Sequence, residues 1–135
     1  MPTPHHYIVV MRLAESTTIE VGAKGVFDFT PGYYLYVGRA KRALEARLKR
    51  HRRTDDKTLR WHVDYLRNEC EWVEARLVDT PSECALAERL ADLDGASRPV
   101  ARFGASDCRC EGHLVYAAEL PGELPGKTWA TSAPP

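Results

Sequence analysis

The chain has 135 residues, 44% of them apolar and 28% charged, with 19 basic and 19 acidic side chains in exact balance. That is the make-up of one ordinary globular domain, large enough to form a core without staples. No apolar run approaches the roughly 18 residues a transmembrane helix needs, and the stretch before Tyr7 lacks the apolar segment of a signal peptide, so the cytoplasm is the expected compartment.

In chain order, Tyr7 to Leu13 is an apolar, β-rich run and reads as a strand. Thr18 to Val21 is a second short strand, and Gly22 to Gly25 signals a turn. Val26 to Phe29 alternates, Pro31-Gly32 turns again, and Tyr33 to Val37 forms the next strand. Two helices follow. Lys41 to Arg53 has no Gly or Pro and carries Leu44 and Leu48 one turn apart, and Thr58 to Asn68 carries Leu59, Val63 and Leu66. Glu71 to Val78 alternates as a strand. Ser82 then stands as N-cap to a third helix reaching Leu93, with Gly95 ending it. Leu114 to Ala118 is a last strand. This order predicts an α/β fold with a small mixed or antiparallel sheet flanked by helices. Residues 1–120 form the expected domain. Residues 121–135, rich in Pro and Gly, are expected to be a disordered tail.

Zero net charge hides an asymmetry. Ten of the 19 Lys and Arg fall between Arg39 and Arg60, against three acids. The stretch from Glu69 to Asp94 has eight acids against Arg76 and Arg89. A polarised surface of this kind suits phosphate-bearing partners, and a solvated helix face is the other reading. Arg39, Lys41, Arg42, Lys49, Arg50 and Arg53 are the candidate contacts to nucleic acid.

Helical geometry singles out two residues of the basic helix. At about 100° per residue from Leu44, Leu48 falls near 40°, Arg47 near −60° and His51 near −20°. Arg47 and His51 therefore share the apolar face, while Arg42, Lys49 and Arg53 point away. A buried cation needs a partner, either an internal carboxylate or the phosphate of a substrate. In the third helix Glu83 borders the leucine face, whereas Glu88 lies beside Cys84, Ala87 and Ala91. A glutamate beside the apolar face is a candidate for a divalent metal or for Arg47, and an exposed first-turn acid is the bland alternative.

The four cysteines, Cys70, Cys84, Cys108 and Cys110, read as thiols or metal ligands rather than disulfides. Cys108, Cys110 and His113 form a Cys-x-Cys-x-x-His run that suits zinc, with His62 or Cys84 available to join in space. The alternative is a tight turn into the last strand with the cysteines as small buried residues.

The string from Gly32 to Gly38, with Tyr36-Val37-Gly38 at its end, Arg47 nine residues later and then His51, resembles the second half of the GIY-YIG nuclease motif. Tyr7 supplies the tyrosine of the first half, preceded by His5-His6 in place of Gly-Ile. Gly25-Val-Phe-Asp-Phe29, Trp61-His-Val-Asp-Tyr-Leu66 and the string from Phe103 to Leu114 look like one uncharacterised branch of that superfamily, extending the resemblance over Tyr7 to Ala118. Ser106 and Asp107 stand in the region where many members carry an asparagine.

The resemblance implies a metal-dependent endonuclease acting on nucleic acid, DNA rather than RNA, with Mg²⁺ or Mn²⁺ held by a helix glutamate. It casts Tyr7 and Tyr36 as the tyrosines, Arg47 as the transition-state cation, His51 as an auxiliary group and Glu83 as the metal ligand, with Glu88 the choice under another alignment. Such chemistry needs a Lewis acid, a positioned nucleophile and a cation at the developing charge. A tyrosine, with a free pKa of about 10, needs a nearby cation to serve as base. A nucleic-acid-binding module without catalysis and a protein-interaction domain are the competing expectations.

Overall fold

Residues 5–40, 42–54, 62–100, 102–103 and 112–129 are described by the computed structural model. Strand β1 (His6–Leu13) is buried at seven of its eight positions because it lies at the centre of the sheet. It pairs antiparallel with β4 (Gly32–Arg39) on one side and β5 (Glu71–Val78) on the other. Beyond β4 come β7 (Leu114–Ala117) and the two-residue β6 (Ala96–Ser97), and beyond β5 comes the two-residue β8 (Lys127–Thr128). The order is β6-β7-β4-β1-β5-β8, and every pairing is antiparallel. A separate hairpin joins β2 (Thr17–Val21) to β3 (Gly25–Phe29) through a short 3₁₀ turn at Gly22–Lys24. The expected α/β fold is therefore present, with a wholly antiparallel main sheet.

Alternation along β1 divides the core. Tyr7, Val9 and Met11 point to one face, with Tyr34 and Tyr36 of β4, α1 (Leu44–Arg52), α2 (His62–Arg67) and the hairpin's Ile19 and Phe29. Ile8 and Val10 point to the other, beneath Leu86, Ala87 and Leu90 of α3 (Glu83–Ala91). The helices thus form layers on opposite faces. None of them is long and apolar enough to cross a membrane, among the described residues.

Several boundaries differ from expectation. α1 starts at Leu44 rather than Lys41, because Ala43 takes a left-handed conformation (φ 52°) that breaks the helix before it. α3 begins as expected, the Ser82 hydroxyl accepting from the Ala85 amide at 3.0 Å. The second helix is described from His62 onward, and the expected part before it lies outside the described residues. The expectation of a disordered tail fails for residues 121–129. β8 pairs Thr128 with Arg76 and Lys127 with Leu77, and the Trp129 amide donates to the Ala75 carbonyl at 2.7 Å. Arg76 holds the approach to β8 by donating to the carbonyls of Pro125 and Gly126 at 2.9 and 2.7 Å. A Pro- and Gly-rich stretch is well suited to follow a sheet edge when side chains from that edge take its carbonyls.

Arg67 ties the two helices of one layer together. It is buried and donates to the carbonyls of His51 and Arg52, at the open C-terminal end of α1, and to Cys70. Those carbonyls have no partner within the helix, so a guanidinium fork satisfies them where water does not reach. Arg50 and Asp64 add a bidentate pair between α1 and α2, with contacts of 2.8 and 2.9 Å.

Candidate active site at one end of the sheet

The antiparallel register brings the start of β1, the end of β4, the start of β7 and the end of β5 to one end of the sheet. Tyr7 lies opposite Gly38 and Leu77, Tyr36 lies opposite Leu114, and α3 follows shortly after Val78. α1 follows directly from β4 at this same end. Glycine at position 38 is required by Tyr7, because a β-carbon there would overlap the phenol ring. The close approach to the backbone at Gly38 is thus made by a side chain of the chain itself.

The Tyr7 hydroxyl is 2.7 Å from His51 Nε2, and both residues are buried. With the proton on Nδ1, the ring accepts from the hydroxyl. Tyr36 packs edge-on against the same imidazole, with ring centroids 5.8 Å apart. Phe103 closes the row, contacting Tyr36 on one side and His62 on the other. Arg47, half-buried, faces the Tyr7 hydroxyl and donates to the Arg39 carbonyl at 2.9 Å. Glu83, on the opposite helical layer, reaches round the sheet end, where its charge acts on Tyr7, Tyr36 and His6.

Five of the six expected catalytic residues therefore converge: Tyr7, Tyr36, Arg47, His51 and Glu83. Glu88 does not, because it is exposed on α3 while Glu83 is turned inward, one oxygen 3.5 Å from His113 Nδ1. Among the expected nucleic-acid contacts, Arg39, Arg42, Lys49 and Arg53 are exposed. Arg50 is occupied differently, by its pairing with fully buried Asp64. Lys41, Cys108 and Cys110 lie outside the described residues. Asp64 escaped the sequence reading as a contributor to the site, although its charge acts on Tyr7 and Tyr36. At about 100° per residue it stands roughly 160° from Leu66, so the apolar spacing of this helix carried no signal for its burial.

The profile of the domain of unknown function DUF123 matches residues 6–125. The chain belongs to the DUF123 family. No curated protein and no solved structure matches it. The matched span covers every side chain of the cluster at the sheet end, so in this DUF123 domain the cluster lies wholly within the family's own unit.

Burial dominates the electrostatics of the DUF123 site. It pushes the Tyr7 hydroxyl from its ordinary 10 up to about 12, with Arg47 pulling back and Glu83 and Asp64 pushing further. Burial raises Tyr36 and Tyr34 as well, and Cys70 from 9 to about 12. These groups keep their protons in the folded chain at pH values where the unfolded chain releases them. The stability they confer is present below the unfolded values and lost as pH rises through the folded ones. His6 and His62 are lowered from 6.5, chiefly by burial, so their contribution is present above 6.5 and lost on acidification. Urea unfolding midpoints measured across pH are expected to be flat from about 6.5 to 9 and to fall steeply towards 12. An alkaline limb no steeper than that of the free side chains would contradict the burial of these phenols.

Proposed function

We propose that this domain is a metal-dependent endonuclease of GIY-YIG type that hydrolyses phosphodiester bonds of nucleic acid, DNA in preference to RNA. The observation that carries the reading is the convergence of Tyr7, Tyr36, Arg47, His51 and Glu83, from β1, β4, α1 and α3, at one sheet end. A structural ion pair would account for Arg47 or Glu83 alone. It would not account for a phenol on an imidazole, an arginine facing that phenol and a half-exposed carboxylate on the far side.

The donor set fits magnesium or manganese. Such ions commonly rely on one or two carboxylates together with substrate phosphates, and the Glu83 side chain is 31% exposed, with one oxygen near His113. Among the described residues no three His, Cys, Asp or Glu side chains gather for a metal, which suits an ion shared with the substrate better than an all-protein cage. The ion, held by Glu83, would supply Lewis acidity at the phosphate. Tyr7 gives its proton to His51 Nε2 and takes one from the attacking water. Arg47 meets the charge that develops on the phosphoryl oxygens. Tyr36, held neutral by burial, packs edge-on against the His51 ring and orders it rather than acting as base. The exposed cations Arg39, Arg42, Lys49 and Arg53 would take the flanking phosphates.

The test is a cleavage assay of the full chain on duplex, branched, flapped and single-stranded DNA and on RNA, with Mg²⁺, Mn²⁺ or EDTA. Cutting that needs the metal and disappears in Glu83→Gln is the expected result. Salt-dependent binding with no cutting on any substrate would replace this reading with a nucleic-acid-binding module on the same fold. That second reading is favoured by the high Tyr7 value, which makes the phenol a reluctant base.

A further inference from the structure

The last turn of a short helix is ordinarily its loosest part, because the closing carbonyls have no partner along the helix. In α1 that turn carries His51, whose Nε2 is 2.7 Å from the Tyr7 hydroxyl. The imidazole holds that contact only as firmly as the turn beneath it is held.

Three consecutive residues of the turn are tied from outside the helix. Arg50 gives both guanidinium arms to Asp64 of α2, at 2.8 and 2.9 Å. The His51 carbonyl accepts from Arg67 Nε at 2.9 Å, and the Arg52 carbonyl from Arg67 Nη2 at 2.6 Å. The Arg52 guanidinium lies over the Trp129 ring, 5.5 Å from its centroid. Arg67 is the centre of this bracket. Its Nη1 donates to the Cys70 carbonyl at 2.6 Å, where α2 leads into β5, and its guanidinium stands 5.5 Å over the Trp72 ring. Trp72 in turn meets Trp129 edge to face, with ring centroids 6.4 Å apart.

Two features give the bracket a direction. The first is the kind of acceptor. Arg67 is 5% exposed, and all three of its nitrogens donate to backbone carbonyls. A buried cation is costly, and a carboxylate is the usual remedy. Here the negative end of the α1 dipole takes that part, so the cation is tied to the place where this helix ends. The second is convergence on one residue. The held carbonyl is that of His51 itself, while its neighbours on both sides are held independently through their side chains. A planar fork fixes the direction of the carbonyls it binds, which a single point donor does not.

We infer that Arg67 is the positioning residue for His51: its fork on the His51 and Arg52 carbonyls fixes the last turn of α1, and with it the imidazole against the Tyr7 hydroxyl. Arg67 is buried and acts through His51 rather than on a substrate. The catalytic consequence rests on the nuclease reading, whereas the placement of the ring does not.

The full chain is tested by three readouts. In the unaltered chain, the last-turn amides of α1 are expected to exchange with solvent as slowly as those of the turn before, in contrast to the graded fraying of an untied helix end. Arg67→Lys keeps the charge and loses the fork. It is expected to move the His51 ring nitrogen resonances towards those of free histidine. Leu90→Ala, a cavity under α3 on the other face of the sheet, is expected to destabilise the chain without moving them. In the cleavage assay Arg67→Lys is expected to lower kcat by up to about 10²-fold with KM little changed, and to cost nothing further once His51 is alanine. Unmoved ring resonances in folded Arg67→Lys overturn the proposal, as does a full further loss of rate in the His51→Ala background. Fraying of the last turn in the unaltered chain overturns it without any variant having to fold. If the unaltered chain cuts no substrate, the nuclease reading falls, and the exchange and resonance readouts still decide the role of Arg67.

Discussion

On the proposed endonuclease reading, Arg47→Ala is expected to slow phosphodiester cleavage by about 10²- to 10³-fold while leaving the fold intact. The arginine is half-buried, so its removal opens a site that water already borders rather than a sealed cavity. Its guanidinium faces the Tyr7 hydroxyl and is the cation that pulls that group back towards an ordinary phenol. On that reading alanine removes two things together: the charge that would meet the phosphoryl oxygens, and the charge that pulls the Tyr7 hydroxyl back towards an ordinary phenol. Both act in the transition state more than in the bound complex, so the loss should appear in kcat with KM little changed. Arg47→Lys should recover only part of the rate, because a point charge cannot bond the Arg39 carbonyl and a phosphate in the fixed fork geometry of arginine. Single-turnover kinetics on a labelled substrate reads the effect. Wild-type rates in Arg47→Ala would remove Arg47 from the chemistry and, with it, the main support for catalysis.

Asp64→Ala is expected to destabilise the domain by about 3 kcal/mol. The Asp64 side chain is wholly buried and receives both arms of the Arg50 guanidinium, which is itself 20% exposed. Taking away the carboxylate removes the group that accepts both arms of a largely buried cation. That loss dominates the cost, and the part of Arg50 that water reaches keeps the figure at the low end of what broken buried pairs show. Replacing both partners, as Arg50→Met with Asp64→Leu, should restore most of the stability, since the pair's attraction roughly offsets the cost of dehydrating it. Urea midpoints at unchanged m-value measure both variants. A single variant as stable as the parent would mean that the pair contributes nothing beyond the packing around it.

Much of this arrangement was legible in the sequence, for local reasons. β1 is an unbroken apolar run from Tyr7 to Met11 because both its faces are covered, whereas in β5 the alternation is imperfect: Val73 is exposed, and Glu74 and Arg76 are part-buried in a pair with each other. Helical spacing from Leu44 put Arg47 and His51 on the inner face of α1, which is where they lie. The same spacing in α3 favoured Glu83 over Glu88, as the structure has it. What stayed hidden was non-local. β6 and β8 have two residues each, too few to carry a period, and exist only because a sheet edge was available. Arg50 read as one more solvent-facing cation because its partner, Asp64, belongs to another helix. The αL conformation at Ala43 has no side-chain signal at all, so helical spacing alone carries α1 back to Lys41.

β1 carries Tyr7 on one face and Ile8 on the other, beneath different helices. The two phenols stand on the sheet itself, the imidazole and guanidinium come from α1 over one face, and the carboxylate comes from α3 over the other. The constellation is therefore a coincidence detector for folding. A nascent chain that has emerged only as far as α1 holds four of the five side chains and lacks the carboxylate, since Glu83 arrives some thirty residues later. Anything that lifts either helix layer from the sheet, whether a partner, a cleavage or a local opening, takes the cluster apart without altering a residue in it.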